Sequence, residues 1–160
     1  MKNIIVVDMQ KAFMRKTNEH LIEKIDNYLK SNKFDNIFFT KCFNDDSSPY
    51  TNILKWNGLK NPCDLDFVIA PPPNTRVIDK NCYGISQNDI VAMKMLNISE
   101  IEICGTDVDA CVLAISFCLF DNNIKPIILK NLCASSSRNP NIQNHTLEIM
   151  ARQFGHENVK

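Results

Sequence analysis

Short apolar runs alternate along this chain with longer stretches in which hydrophobic residues recur at helical spacing. The short runs have the length and the bounded apolar character that are typical of buried strands. They predict five strands, over residues 2–8, 36–43, 75–80, 101–105 and 125–130.

The longer stretches carry apolar residues three and four positions apart, which indicates amphipathic helices. They predict four helices, over residues 18–32, 87–96, 108–122 and 141–154. We expect Asn18 to cap the first helix, because its side-chain oxygen can accept a hydrogen bond from an unpaired backbone N–H. The apolar face of the last helix is expected to contain Ile142, Ile149 and Met150.

Strands that alternate with helices are typical of a parallel sheet covered on both faces, a three-layer α/β/α, Rossmann-like architecture. Right-handed crossovers then bring the carboxyl ends of the strands to one edge of the sheet. The region 44–74, which contains five of the seven prolines, is the one long irregular stretch. Because 160 residues is the size of one ordinary domain, we predict a single domain over residues 1–160.

Reactive residue types stand at this predicted edge. Two of the strands end in Asp8 and Lys80, and Cys111 follows a third strand at the opening of a helix-period stretch. Unpaired N–H groups and the helix macrodipole favour a thiolate at such a position. Each residue also has an ordinary explanation, as a turn-capping carboxylate, a solvated lysine and a buried small side chain.

Taken together, these segments resemble the isochorismatase-like cysteine hydrolases, a family that includes nicotinamidases and related amidases. The resemblance covers nearly the whole chain in the same order. It rests on a D-x-Q-x-x-F start, a strand-end lysine and a G-x-x-x-x-x-C-V segment, carried here by Asp8, Gln10, Phe13, Lys80, Gly105, Cys111 and Val112. It implies a central sheet in the order 3-2-1-4-5 and allows a sixth short strand near Val159.

The resemblance also implies a catalytic triad, with Cys111 as nucleophile, Asp8 as general acid and base, and Lys80 as stabilising cation. It further implies a cis peptide bond between Thr106 and Asp107. The backbone N–H groups of Asp107 and Cys111 would then form an oxyanion hole. Because a nearby cation lowers a thiol pKa, we expect Cys111 to alkylate at pH 7 before the other six cysteines.

Aromatic and amide side chains near these strand ends are candidates for binding a substrate. Phe13 and Tyr83 lie shortly after two of the strand ends, so we expect them to flank the cysteine. Gln10 is a further candidate, with hydrogen bonding to the backbone as the alternative. For Trp56, in the irregular region, and for Phe13, the alternative is ordinary core packing.

A metal site is not expected. Nicotinamidases carry a D-x-H motif and a further histidine after their second strand, whereas the corresponding stretch here, residues 40–50, has Asp45 and Asp46 but no histidine. Zinc sites normally include nitrogen or sulfur ligands. The chain also lacks the glycine-rich fingerprints of nucleotide-binding loops, so we expect no cofactor.

Charge and cysteine content indicate which partners and which cellular compartment to expect. The 18 basic and 18 acidic side chains leave no net charge, so no nucleic-acid partner is expected. No stretch predicts a membrane span, and the N-terminus lacks a secretion-signal pattern. Seven cysteines without C-x-x-C spacing predict free thiols in a reducing compartment, so we expect a cytoplasmic protein.

The sequence therefore predicts a thiol-dependent hydrolase that acts on a small-molecule amide or carbamoyl compound. The resemblance also implies a homo-oligomer, since the family commonly forms one. Three alternatives remain open at this point. They are a non-catalytic family member that binds a ligand or partner, a metal-assisted nicotinamidase-type amidase, and a different cysteine enzyme with a Cys111–His145 dyad.

Overall fold

The computed structural model describes residues 1–160 and is built around a five-stranded parallel sheet flanked by helices. The strands lie in the order 3-2-1-4-5, which confirms the predicted α/β architecture. They are β1 (Asn3–Val7), β2 (Asn36–Cys42), β3 (Arg76–Lys80), β4 (Glu100–Gly105) and β5 (Lys125–Cys133).

The helices occupy the connections between the strands and the end of the chain. They are α1 (Leu21–Ser31), α2 (Pro49–Asn52), α3 (Gln87–Met95), α4 (Leu113–Phe120) and α5 (Pro140–Phe154). A π-helical turn, Val108–Val112, precedes α4, and short 3₁₀ turns occur at Lys11–Phe13, Pro62–Leu65 and His156–Asn158. None of these helices combines the length and the apolar character required to cross a membrane.

The central strands are buried on both faces, as expected for a parallel sheet between helical layers. All five residues of β1 are buried, and β1 pairs with β2 on one side and β4 on the other. Helix α1 contributes Leu21, Ile25 and Leu29 to the same hydrophobic core, at the four-residue spacing of one helix face.

Two details of the predicted helices are wrong. Asn18 does not cap α1, because its side chain is buried and instead joins two loops, donating to the Phe13 carbonyl and to Thr106 Oγ1 (3.0 Å each). Ile149 is 47% exposed, and the inner face of α5 is formed by Thr146, Met150, Ala151 and Phe154.

The predicted sixth strand is reduced to a single bridge. Val159 forms one parallel bridge with Ile128, and the Lys160 N–H donates to the Ile128 carbonyl at 2.9 Å. The Lys130 N–H also donates to the Lys160 carbonyl at 2.8 Å, so the last two residues extend the sheet edge without adding a strand.

The region between β2 and β3 contains more structure than its prolines suggested. Ser48 accepts a hydrogen bond from the Tyr50 N–H, and Pro49 occupies the first turn of α2, where a missing N–H has no cost. A second, small hydrophobic cluster of Cys42, Tyr50 and Leu59 joins this region to the end of β2.

Gly105 brings β4 close to β1 at the carboxyl edge. It has a φ of +119°, and a Cβ atom at this position would lie 2.2 Å from the Val7 carbonyl oxygen. The obstruction is backbone of the paired strand, since Val7 and Gly105 are register partners. Only glycine therefore permits this approach.

Replacing Gly105 with alanine is expected to lower the free energy of unfolding by about 3 kcal/mol or more, because positive φ and a backbone clash act together. Urea denaturation followed by circular dichroism measures the loss. Gly84→Ala is the matched control, because its new Cβ meets only the Cys118 sulfur, at 2.8 Å. An equal loss of unfolding free energy in the two variants would contradict a specific requirement for glycine at position 105.

Candidate active site

Asp8, Lys80 and Cys111 meet at the carboxyl edge of the sheet. Asp8 directly follows β1, Lys80 ends β3, and Cys111 lies in the π-helical turn after β4. The Lys80 Nζ is 2.8 Å from Asp8 Oδ2 and 3.2 Å from Cys111 Sγ. The structure thus brings together the three residues expected to form the triad.

A hydrogen-bonded neighbour orients the Asp8 carboxylate. The Thr40 hydroxyl donates to Asp8 Oδ1 at 2.5 Å and accepts from the Asp8 N–H at 3.0 Å. The other oxygen, Oδ2, is buried and has the Lys80 ammonium beside it as an ion-pair partner, but it accepts no aligned hydrogen bond. Asp8 Oδ2 therefore retains capacity to receive a proton.

Burial decides the ionisation of the thiol. Desolvation raises the pKa of Cys111 well above 9.0, the negative charge of Asp8 raises it further, and Lys80 only partly offsets these effects. The expectation of a lowered pKa is wrong, because Cys111 is 4% exposed and lies inside the π-helical turn before the first residue of α4.

Lys80 keeps its charge in the same surroundings. Burial alone would lower the pKa of its ammonium group, but the negative charge of Asp8 beside it raises the pKa above its usual value. The ammonium also donates a hydrogen bond to the Cys82 carbonyl at 3.0 Å. Lys80 is thus a fixed cation between a carboxylate and a thiol.

The peptide bond between Thr106 and Asp107 is cis, as the resemblance implied. The Asp107 carboxylate accepts hydrogen bonds from the Ser136 N–H and hydroxyl (2.6 Å each) and from the Thr106 hydroxyl (2.5 Å). The Asp107 N–H donates no hydrogen bond within the protein. A free backbone donor thus belongs to a residue that lines the same cavity as Cys111 and whose side chain is fixed.

A cavity of about 190 Å³ opens beside the thiol. Its lining is mostly apolar and comprises Phe13, Tyr50, Leu54, Trp56, Tyr83, Asp107, Ala110 and Cys111. Phe13 and Tyr83 flank the cysteine as expected, and Trp56, which is 41% exposed, also belongs to the wall.

Gln10 is not part of this cavity lining. Its side chain is fully buried and clamps the end of β2, accepting from the Cys42 N–H at 2.7 Å and donating to the Cys42 carbonyl at 2.9 Å. It also donates to the Leu65 carbonyl at 3.2 Å. The geometry therefore supports the alternative prediction, in which Gln10 hydrogen-bonds to the backbone.

Two lining residues, Tyr50 and Leu54, have no signal in the sequence. Both belong to the region between β2 and β3, where no periodicity or motif singles them out. The Tyr50 ring packs edge-on against Trp56 and Tyr83, with centroids 5.8 and 5.1 Å apart. The Asn44 amide fixes this wall by donating to the Trp56 carbonyl at 2.9 Å.

The loop aspartates do not fit a zinc ion. Asp45 Oδ1 is turned into its own loop, where it accepts from the Ser47 N–H at 2.9 Å and from the Ser47 hydroxyl at 2.7 Å. The Asp46 side chain is 98% exposed and pairs with Lys60 at 3.3 Å. No nitrogen ligand joins these carboxylates, and no group of three metal-binding side chains occurs in the structure.

His145 does not support the alternative dyad. It lies on the exposed face of α5, whereas Cys111 is buried and has Lys80 as its polar partner.

Iodoacetamide at pH 7 is expected to label the exposed Cys63 at least about tenfold faster than Cys111, because each unit of raised pKa removes tenfold of the reactive thiolate. Limited labelling followed by peptide mass spectrometry measures both rates, and Cys63→Ser identifies the fast site. First labelling at Cys111 would show a thiolate in the free protein.

Several solved structures share this fold. An isochorismatase-like hydrolase from Alkaliphilus metalliredigens has a TM-score of 0.82 at 15% identity, over 95% of this chain and 92% of its own. A pyrazinamidase of Pyrococcus horikoshii in complex with zinc has a TM-score of 0.81 at 18% identity, over 96% of each chain. An N-carbamoylsarcosine amidase from Thermoplasma acidophilum has a TM-score of 0.80 at 17% identity, over 97% and 94%.

At these identities the structural likeness establishes the fold alone. No curated protein sequence matches this chain significantly. The sequence model of the isochorismatase domain, however, matches residues 2–156, which is nearly the whole length. The chain therefore belongs to the isochorismatase family.

Proposed function

We propose that this protein is a thiol-dependent hydrolase of small amides or carbamoyl compounds, acting through a Cys111 acyl-enzyme. The observation that carries the proposal is the single Lys80 ammonium in contact with both Asp8 (2.8 Å) and Cys111 (3.2 Å) beside a small cavity. The names of two structural relatives, a pyrazinamidase and an N-carbamoylsarcosine amidase, support hydrolysis of C–N bonds.

The first step is attack of Cys111 Sγ on the amide carbon. As the C–S bond forms, the thiol proton moves to Asp8 Oδ2 and the carbonyl oxygen takes up the electron pair. A neutral thiol beside a carboxylate suits this coupled transfer. Lys80 stabilises the charge that develops on sulfur, and the N–H groups of Asp107 and Cys111 bind the oxyanion.

The second step breaks the C–N bond. Asp8 returns its proton to the leaving nitrogen, which departs as ammonia or an amine, and a thioester remains on Cys111. Water then attacks the thioester carbon while Asp8 accepts one of its protons. The C–S bond breaks, the proton returns to sulfur, and a carboxylic acid or a carbamic acid is released.

The cavity favours an uncharged acyl group. Its walls are mostly apolar, and its one acidic member, Asp107, is occupied by hydrogen bonds from Ser136 and Thr106. A volume of about 190 Å³ limits the substrate to a small molecule. A flat or compact apolar acyl group fits walls of this composition.

A non-catalytic ligand-binding role is the alternative. The buried Asp8–Lys80 pair disfavours it, because two charges with almost no solvent exposure are costly to retain without a use. A metal-assisted amidase would require a zinc site, which the Asp45–Asp46 loop does not supply.

Replacing Cys111 with alanine is expected to abolish hydrolysis of a small carboxamide. Asp8→Asn should lower kcat/KM by about 10²–10⁴-fold, since it removes the proton shuttle and keeps the side-chain shape. Lys80→Ala should lower it by at least about 100-fold, because the sulfur loses its counter-charge. Ammonia release measures activity.

Cys63→Ala, at an exposed free cysteine, is the matched control and should retain activity. Circular dichroism shows whether each variant is folded. A folded Cys111→Ala protein with undiminished activity would contradict the proposal.

Activity is expected to survive dialysis against EDTA, because the proposed chemistry uses only side-chain and backbone groups. The measurement compares kcat/KM before and after chelation, and again after zinc is added. Loss on chelation with recovery on zinc addition would show that the metal-assisted alternative is correct.

A further inference from the structure

Asp107 uses each of its hydrogen-bonding groups within the protein except its backbone N–H. Its carboxylate accepts from the Ser136 N–H and hydroxyl and from the Thr106 hydroxyl. Its carbonyl oxygen accepts from the N–H groups of Ala110 and Val112, at 3.1 Å each. Because a backbone donor requires a partner, the remaining N–H is available to a ligand in the cavity that Asp107 lines.

These contacts tie Asp107 to two separate segments. The bonds to its carbonyl join it to the π-helical turn that contains Cys111, and the bonds from Ser136 join its carboxylate to the loop between β5 and α5. Rotation of the residue would break one set of bonds or the other. The free N–H is therefore fixed in direction before any substrate arrives.

The loop that contains Ser136 is itself held in place. The Ala134 carbonyl accepts from the Val108 N–H at 3.0 Å, which joins the end of β5 to the π-helical turn. The Ser135 hydroxyl accepts from the Ser137 N–H at 3.0 Å, so a hydrogen bond closes the chain around Ser136. Ser136 thus donates to the Asp107 carboxylate from a fixed backbone.

The amide of Asn18 completes the same network from a third segment. It donates to Thr106 Oγ1 at 3.0 Å, and the Thr106 hydroxyl donates in turn to Asp107 Oδ1 at 2.5 Å. Asn18 also accepts from the Arg15 N–H at 2.7 Å and donates to the Phe13 carbonyl at 3.0 Å. Segments that are distant in the sequence therefore converge on one carboxylate.

The negative charge of Asp107 does not help the proposed attack. In that step the substrate oxygen gains negative charge, and a carboxylate close to it opposes the change. Three donors, two from Ser136 and one from Thr106, instead take up the carboxylate oxygens. What the side chain contributes is therefore the position that its hydrogen bonds impose on the residue.

We propose that Ser136 is a positioning residue that, through the Asp107 carboxylate, directs the Asp107 N–H toward the oxygen of the reacting carbonyl. The inference rests on the proposed amide hydrolysis, and Ser136 itself does not line the cavity. A donor fixed in advance stabilises the oxyanion without reorganisation in the transition state, and a displacement of about 1 Å removes much of this benefit. The effect should therefore appear in kcat and not in KM.

Replacing Ser136 with alanine is expected to lower kcat on benzamide by about 10–100-fold and to change KM by less than about twofold. Ser136→Thr keeps the hydroxyl and should retain most of the activity. Ser137→Ala is the matched control, because this serine belongs to the same loop but its hydroxyl accepts from the Asn139 N–H at 3.1 Å. It should keep the wild-type kcat.

A double-mutant cycle tests whether Ser136 acts through Asp107. Asp107→Ala keeps the backbone N–H and removes the carboxylate that holds it, so it should lower kcat at least as much as Ser136→Ala. Adding Ser136→Ala to Asp107→Ala should then cause no further loss, because the two side chains act through one contact. A full additional loss would show that Ser136 acts independently of Asp107, which overturns the proposal.

Benzaldehyde provides a second readout that does not depend on turnover. Cys111 Sγ can form a C–S bond with its carbonyl carbon while the thiol proton moves to Asp8 and the carbonyl oxygen takes up the electron pair. NMR of benzaldehyde labelled at its carbonyl carbon measures the Kd of this reversible adduct. The Kd should rise about tenfold or more in Ser136→Ala and stay unchanged in Ser137→Ala, and Cys111→Ala should form no adduct.

The outcomes separate this inference from the proposed function. Wild-type kcat and wild-type aldehyde binding in a folded Ser136→Ala protein overturn the positioning role and leave the proposed hydrolysis intact. A rise in KM alone, or an equal loss of kcat in Ser137→Ala, indicates general support of the loop and overturns it as well. If no amide is hydrolysed in a Cys111-dependent manner, the proposed function fails, and this inference fails with it. Circular dichroism shows whether each variant is folded.

Discussion

The buried ion pair between Asp8 and Lys80 is the interaction on which the rest of the site depends. The side chains are 0% and 2% exposed, and their charged atoms are 2.8 Å apart. Either charge alone would be strongly destabilising in this environment, so each residue requires the other. Because β2 lies between β1 and β3, the pair forms only through the long lysine side chain, which crosses the neighbouring strand end. The same ammonium then reaches the sulfur of Cys111.

This arrangement determines how the thiol can react. A thiolate on Cys111 would add a second negative charge beside Asp8, with Lys80 as their single shared cation. The pKa of the thiol is therefore raised by burial and by the carboxylate, and the proton stays on sulfur until a substrate is attacked. In the mechanism that we propose, the carboxylate takes that proton as the C–S bond forms, so the net charge of the buried group never changes. The site needs no solvent access for this step.

The sequence predicted those parts of the structure that depend on strand periodicity and strand ends. Asp8 and Lys80 could be placed because each terminates an apolar run, and the sheet order followed from the family resemblance. Asn18 was misplaced, and Gln10 was left between a substrate role and a backbone role, because their side chains bond to segments far away in the sequence, which a local pattern cannot reveal. The ionisation of Cys111 was misjudged for a related reason. Its position at the start of a helix suggested a thiolate, but burial by residues distant in the sequence raises the pKa of the thiol.

The candidate catalytic groups and the cavity walls come from different parts of the chain. Asp8 and Lys80 are fixed by the sheet, whereas Tyr50 and Trp56 belong to the region between β2 and β3, which the Asn44 amide secures through backbone carbonyls. In the mechanism that we propose, changes in that region can therefore alter which acyl group fits without moving Asp8, Lys80 or Cys111. The two parts meet at the end of β2, where the Cys42 sulfur contacts the Tyr50 hydroxyl at 3.7 Å and Cys42 is the register partner of Lys80. The cavity walls and the candidate catalytic groups are thus adjacent in space but belong to separate segments.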